Sequence, residues 1–329
     1  MAEREIEKWV TWKGRRIPIY KDSVKPNPTK VFGEKLPNGE WTDPYEDVPE
    51  ANISKKYSDM IAEGTPEALD EAKAEFKRET KVDFNAHSIN GENMGMIMDA
   101  VAAVKTKYNC NITDIENATS DMLSENPDAC AWMGQDGVMY INAEYFNRSR
   151  KELEGDWRGS QLVHRNFHPQ GGAESIIVHE MGHAIFNRFV ANEITESGES
   201  IMSDISLWES HYDACQRFLI TKDKSEGFNV DTYRSSTGYK RIVDYFDELG
   251  NELRDQPYLK EKWDGKPTLS LLALANTEYG HNDAICEYAG TNYHEMVAEA
   301  FTDVFMNGGS ASFTSKFIYD RIIAKELKK

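Results

Sequence analysis

Long apolar runs are missing from this chain. No stretch approaches the roughly 18 uninterrupted apolar residues that a spanning helix needs, so no membrane span is expected. Met1 to Val10 alternate charged and apolar side chains without an apolar core, so no secretion signal is expected either. Cysteine is scarce. Cys110, Cys130, Cys215 and Cys286 are scattered, with no C-x-x-C pair. In a chain of 329 residues this argues against a disulfide framework or a thiolate zinc site. It predicts reduced core cysteines in a cytoplasmic protein. Positive charge is also short. Against 56 Asp and Glu stand 38 Lys and Arg, for a net charge of −18. Such a surface disfavours nucleic acid and anionic membranes as partners. No internal repeat or low-complexity tract is found.

What is present suffices for a real core: 40% of the residues are hydrophobic and 11% aromatic. The length allows one large domain or two smaller ones. Residues 1–50 read as an amino-terminal arm or docking segment. Trp9 to Tyr20 predicts a hairpin with a turn near Gly14, and Pro26, Pro28, Pro37 and Pro44 then break all periodicity. Residues 51–90 read as a charged helical linker, with a helix start at Thr65-Pro66-Glu67. From residue 91 onward the pattern is denser. Met94, Ile97, Met98 and Val101 carry helical spacing to about Tyr108, and Ile112 to Ile115 suggests a short strand. Ala129 to Met133, the Gly134–Gly137 turn and Val138 to Asn142 predict a second hairpin. A charged loop is expected over 147–170. A helical insertion is expected over about 193–285, including one helix stopped by Gly250.

The most specific segment is His179-Glu180-Met181-Gly182-His183. Positions i and i+4 share one helix face, so both imidazoles can reach one metal ion. A Glu beside the first His can take the proton of a metal-bound water. Ile176, Ile177, Val178, Ala184, Ile185 and Phe189 flank the motif. Ionisable groups in so apolar a helix need pairing or a metal. The plainer alternative is an amphipathic helix with two histidines on a wet face.

Catalytic zinc commonly takes three protein ligands and leaves one position for water. A histidine six residues beyond His183 would supply the third, but that position is Phe189. A glutamate from a later helix is the other route. Tyr293 to Asp303 predicts that helix, ending at Gly308-Gly309, and it offers two registers. In one, Glu295 binds and Glu299 orients a ligating histidine. In the other, Glu299 binds and Asp303 orients. Both are i, i+4 pairs, so spacing does not choose. Asn292 and Glu295 also fit a capping box, a structural role for Glu295. His164 and His168 are weaker candidate ligands in the charged loop.

The run from Tyr288 through Glu295, Ala298, Glu299 and Phe301 resembles the catalytic domain of anthrax lethal factor and its relatives, which are gluzincin zinc metallopeptidases. The resemblance covers the two metal helices and the tyrosine segment. The stretch from His183 to Glu295 is much longer here. It implies one Zn2+ per chain held by His179, His183 and Glu295, with Glu299 behind a histidine. It also implies Glu180 as general base and Tyr288 over the open metal position. The implied fold is α+β, a zincin-like domain that is mainly helical with a small mixed sheet. In that architecture the strand before the metal helix edges the cleft and pairs with substrate. Here that strand would be Val138, Met139, Tyr140, Ile141 and Asn142. The implied partner is a protein or peptide substrate. His168 to Gly172, the Ala298–Phe301 run and the Trp-Thr-Trp-Lys-Gly amino end also resemble phage or prophage structural proteins. That implies phage structural partners, in the bacterial host cytoplasm or in the virion. The peptidase would then act in phage head assembly or, as a toxin, on a host protein; a phage adaptor using such a fold as a scaffold, without proteolysis, is the rival reading.

Overall fold

Four short strands carry the body of the molecule in a computed structural model. It describes residues 6–12, 15–20, 53–127, 129–134, 136–163, 171–192, 237–257, 259, 271–276 and 284–328. The strands of this sheet are β3 (Asp83–Phe84), β4 (Asp114–Asn117), β5 (Ala131–Met133) and β6 (Val138–Ile141), in the order β3-β4-β6-β5. The first two pairings are parallel and the last antiparallel. Gly137 turns the β5–β6 hairpin at φ 86°, where a side chain would be strained. Met139 and Ile141 are buried, while Val138 and Tyr140 are half-exposed, the period of a strand with one face on a core. A separate antiparallel hairpin, β1 (Ile6–Trp12) and β2 (Arg15–Tyr20), lies at the amino end as expected. The rest of the arm, at 21–52, lies outside the described residues.

Helices supply the rest. Before the hairpin of the larger sheet come α1 (Lys56–Ile61), α2 (Pro66–Thr80), α3 (Gly91–Lys107) and α4 (Ser120–Glu125). After it come α5 (Ala143–Phe146), α6 (Arg150–Val163) and α7 (Glu174–Asn192). The carboxyl-terminal part holds α8 (Thr237–Arg254), α9 (Leu271–Ala275), α10 (Tyr293–Asn307) and α11 (Phe313–Arg321). The class is α+β, mostly helical with a small mixed sheet. Among the described residues, no helix is long and apolar enough to cross a membrane.

Several expectations change. Residues 53–90 are no linker. Tyr57, Ala72, Phe76, Val82 and Phe84 join the main core, and β3 is a strand of the sheet. The buried Asp99 of α3 accepts from the Tyr57 and Ser58 amides at 2.8 and 3.1 Å, and from the Ser58 hydroxyl at 2.6 Å. Those bonds satisfy the opening turn of α1. The charged stretch after Asn147 is helical. Ser149 and Glu152 form a reciprocal cap, with Ser149 N donating to Glu152 at 2.9 Å and Glu152 N to Ser149 Oγ at 3.3 Å. Leu153 and Trp157 bury one face of that helix. α8 runs straight through Gly250, whose missing side chain admits Leu271 of α9 to 3.4 Å from where a Cβ would stand. His164, His168, Cys215 and most of the expected 193–285 insertion lie outside the described residues.

The strand assignment at the cleft also changes. Val138, Met139, Tyr140 and Ile141 are not an edge, because β6 is paired to β4 on one side and β5 on the other. Asn142 is not in the strand. Its side chain caps α5 by accepting from Tyr145 N at 3.3 Å, and donates to Ala129 O at 3.0 Å. Proximity in sequence to the metal helix does not decide which arm of a hairpin is outermost. Pairing with β4 does, and it leaves β5 at the edge of the described sheet.

Candidate metal centre and cleft

Two helices cross to make the site. Gly182, inside the H-E-x-x-H run, lies where a Cβ would come within 2.9 Å of Ala298 Cα and 3.2 Å of its carbonyl oxygen. Only glycine lets α7 and α10 approach that closely. Asn292 starts α10 by accepting from Glu295 N at 3.0 Å. The cap therefore uses the Glu295 backbone and leaves its carboxylate to the site. Gly308, at φ 52°, ends the helix.

At the crossing, His179 Nε2 and His183 Nε2 are 3.1 Å apart. Glu295 Oε2 lies 3.0 Å from the first and 3.5 Å from the second. Zinc bonds of 2.0–2.2 Å at tetrahedral angles separate ligand atoms by about 3.3–3.6 Å. The three observed edges lie within a few tenths of an ångström of that range, so these donors fit a tetrahedral zinc. On the far side of His179, Nδ1 is 3.1 Å from Glu299 Oε1. A carboxylate there fixes the tautomer that leaves Nε2 free to bind metal.

A second carboxylate borders the pair. The donor atoms of His179, Glu180 and His183 all lie within 4.8 Å of one another. Glu180 also accepts a hydrogen bond from the backbone N–H of Met133 in β5. Glu295, which faces both Nε2 atoms, is the better third ligand, and Glu180 is left beside the site. Asp303 is engaged elsewhere. It accepts from Asn307 Nδ2, Ser312 N and Ser315 Oγ at 2.8, 2.9 and 2.5 Å, tying the end of α10 to the start of α11.

Electrostatics follow from burial and from this pairing. Burial opposes charge on His179, but Glu299 and Glu295 outweigh it and hold the ring well above an ordinary imidazole pKa. Burial pushes Glu295 up, and the charges of His183 and His179 carry it down below the usual carboxylate range. Glu180 is raised, mainly because it is buried. Tyr288 sits on a 3-10 turn (Tyr288–Gly290), its ring 6.1 Å from that of His179. Burial first, then the carboxylates of Glu295, Glu299 and Glu180, raise its phenol. His294 is lowered to about 3 by burial and by the charge of His183.

His179, Glu180, His183, Tyr288, His294 and Glu295, but not Glu299, line a cleft of about 310 Å³ bordered by α7 and β5. Trp132 and Met133 of β5 line it as well. Reasoning from sequence missed three contributors: β5 itself, Asn187 and His294. Asn187 had a readable signal, since it lies four residues after His183 on the metal-facing stripe. His294 had none, being the neighbour of a glutamate that already had a role.

No family model, curated protein or solved structure matches this chain.

Proposed function

We propose that the chain is a zinc metallopeptidase of the gluzincin type, with a zincin-like fold. The observation that carries this reading is the convergence of His179 Nε2, His183 Nε2 and Glu295 Oε2 at tetrahedral-edge distances, with Glu180 beside them in a cleft. Zinc, when bound, supplies a Lewis acid that polarises the scissile carbonyl and acidifies water. Glu180 takes the proton of the attacking water and delivers it to the leaving amine. Its burial raises its pKa toward that of a group that both accepts and returns a proton. Tyr288 keeps its proton and donates a hydrogen bond to the oxyanion as it develops. Glu299 holds the His179 ring in register.

The substrate is an extended protein or peptide segment. The outer edge of β5 offers it a strand to pair with, in place of the β6 edge that sequence order suggested. The resemblance of the Trp-Thr-Trp-Lys-Gly end to phage structural proteins makes such proteins candidate substrates. A pure scaffold would need zinc ligands but no base, and Glu180 favours catalysis over that reading.

The test is Glu180→Gln. The amide is near-isosteric and cannot accept the proton, so the variant should keep fold and zinc and lose hydrolysis of any peptide the wild type cleaves, by about 100-fold or more. Cleavage at the wild-type rate would refute the mechanism.

A further inference from the structure

Tyr288 can serve an oxyanion only if its phenol is held to within about 0.5 Å of one place. It stands on a three-residue 3-10 turn, too short to be stable alone. Of the residues in that turn, only Tyr288 lines the cleft. The carbonyl of Ala275, the last residue of α9, accepts from the Ile285 and Cys286 amides at 2.9 and 3.3 Å. Cys286 Sγ accepts from Ala289 N at 3.3 Å, and the Tyr288 carbonyl accepts from Thr291 N and Oγ1 at 3.1 and 2.8 Å. The tightest approach is at Gly290, where a Cβ would stand 2.4 Å from Asn276 Nδ2 and 2.6 Å from Asn276 Cβ. Gly290 has no positive φ, so backbone freedom is not what it supplies. It supplies room, and the Asn276 side chain fills it. Asn276 directly follows α9, which is pinned in turn to α8 by Leu271 against Gly250.

We propose that Gly290 and Asn276 are positioning residues, forming the joint that sets Tyr288 over the metal site. This rests on the metallopeptidase reading above. A methyl group at Gly290 would meet Asn276 Cβ as well as its amide, and a Cβ cannot rotate out of the way. The turn would have to lift off α9. The Asn292 cap holds the Glu295 amide at the start of α10, so the lift moves Tyr288 and leaves Glu295 in place. Zinc ligands are kept and the oxyanion donor is displaced. What is lost is an interaction that strengthens only in the transition state, so kcat falls and KM does not follow. Asn276 and Gly290 are both partly exposed, so a change at this joint costs the fold little.

The test combines peptide hydrolysis by the zinc-loaded full chain with amide hydrogen exchange over residues 285–291 in the metal-free chain. Gly290→Ala should keep its zinc, lower kcat by about 10–100-fold with KM little changed, and speed exchange of the turn amides. Tyr288→Phe alone should cost at least as much in kcat, yet adding it to Gly290→Ala should cost almost nothing more, since the phenol is already out of place. Asn276→Gly removes the obstacle, so combining it with Gly290→Ala should recover most of the rate and of the protection. Asn276→Ala loosens the joint without adding bulk and should show the same pattern more weakly. A wild-type rate or undisturbed exchange in Gly290→Ala, losses that multiply when Tyr288→Phe is added, or no recovery on adding Asn276→Gly would overturn the proposal. A wild-type chain without zinc or hydrolysis would instead refute the metal centre, and full activity in Tyr288→Phe the role of that tyrosine, and this inference would fall with either.

Discussion

Each carboxylate of α10 does a different job, and single substitutions should separate them. Glu299 Oε1 lies against His179 Nδ1, while Glu295 faces Nε2 of the same ring. Glu299→Ala should therefore weaken zinc binding by about 10–100-fold without abolishing it. Asp303 bonds to Asn307, Ser312 and Ser315 and touches neither histidine. Asp303→Ala should lower the unfolding midpoint while leaving the affinity of the folded chain for zinc unchanged. Competition with a zinc chelator on the two variants checks both. A larger loss of affinity in Asp303→Ala than in Glu299→Ala would restore the other register. Protonation gives a second handle. In the metal-free chain His179 has a raised pKa, so its contribution to stability is present below the unfolded imidazole value and fades as pH rises through the folded one. Zinc must displace that proton. Its uptake at neutral pH should release about one proton per chain, and apparent affinity should climb with pH. Calorimetry in buffers of different ionisation enthalpy measures the release, and a value of zero would contradict the assigned pairing.

At the scale of elements, the crossing of α7 and α10 depends on one missing methyl group. Gly182→Ala would drive a Cβ against the Ala298 backbone. Overpacking of this kind costs about 1–3 kcal/mol, and it would also shift Glu295 relative to the histidines. A lower unfolding midpoint together with reduced zinc retention is the expected result; unchanged values for both would show that the helices have room. The two helices themselves were legible in sequence. Asn292 and Gly308-Gly309 bracket one, and apolar flanks on both sides of H-E-x-x-H mark the other. The β5–β6 hairpin was legible from its Gly-bounded turn. The edge was not, because β4 selects β6 through pairing across a long sequence separation, and no local residue encodes that choice. The helix α6 was hidden by its charge, although Ser149 and Glu152 spell a capping box and Leu153 and Trp157 share a face. The role of residues 53–90 was hidden for the opposite reason. Their apolar stripe is thin, and only the buried Asp99, read together with Gly95, betrays how closely α1 packs on α3.

At the scale of the whole molecule, the sheet and the core of α3, α7 and α10 hold the candidate ligand atoms on regular elements, while the cleft lies along the β5 edge of the described sheet. The negative net charge adds attraction for any divalent cation; under the proposed reading, the three converging atoms would add the preference for zinc. The candidate site was legible as a set of residue types and spacings. Its assignment to individual atoms was not, since Glu295, Glu299 and Asp303 repeat at equal intervals and only the helix crossing distinguishes them. Metal content tests the account at its centre. Elemental analysis of the purified full chain and of Glu295→Ala, side by side, should find about one zinc per wild-type chain, as three protein ligands plus water require, and almost none in the variant. A wild-type chain that holds no transition metal after gentle purification and zinc dialysis, or a Glu295→Ala chain that keeps its zinc in full, would contradict it.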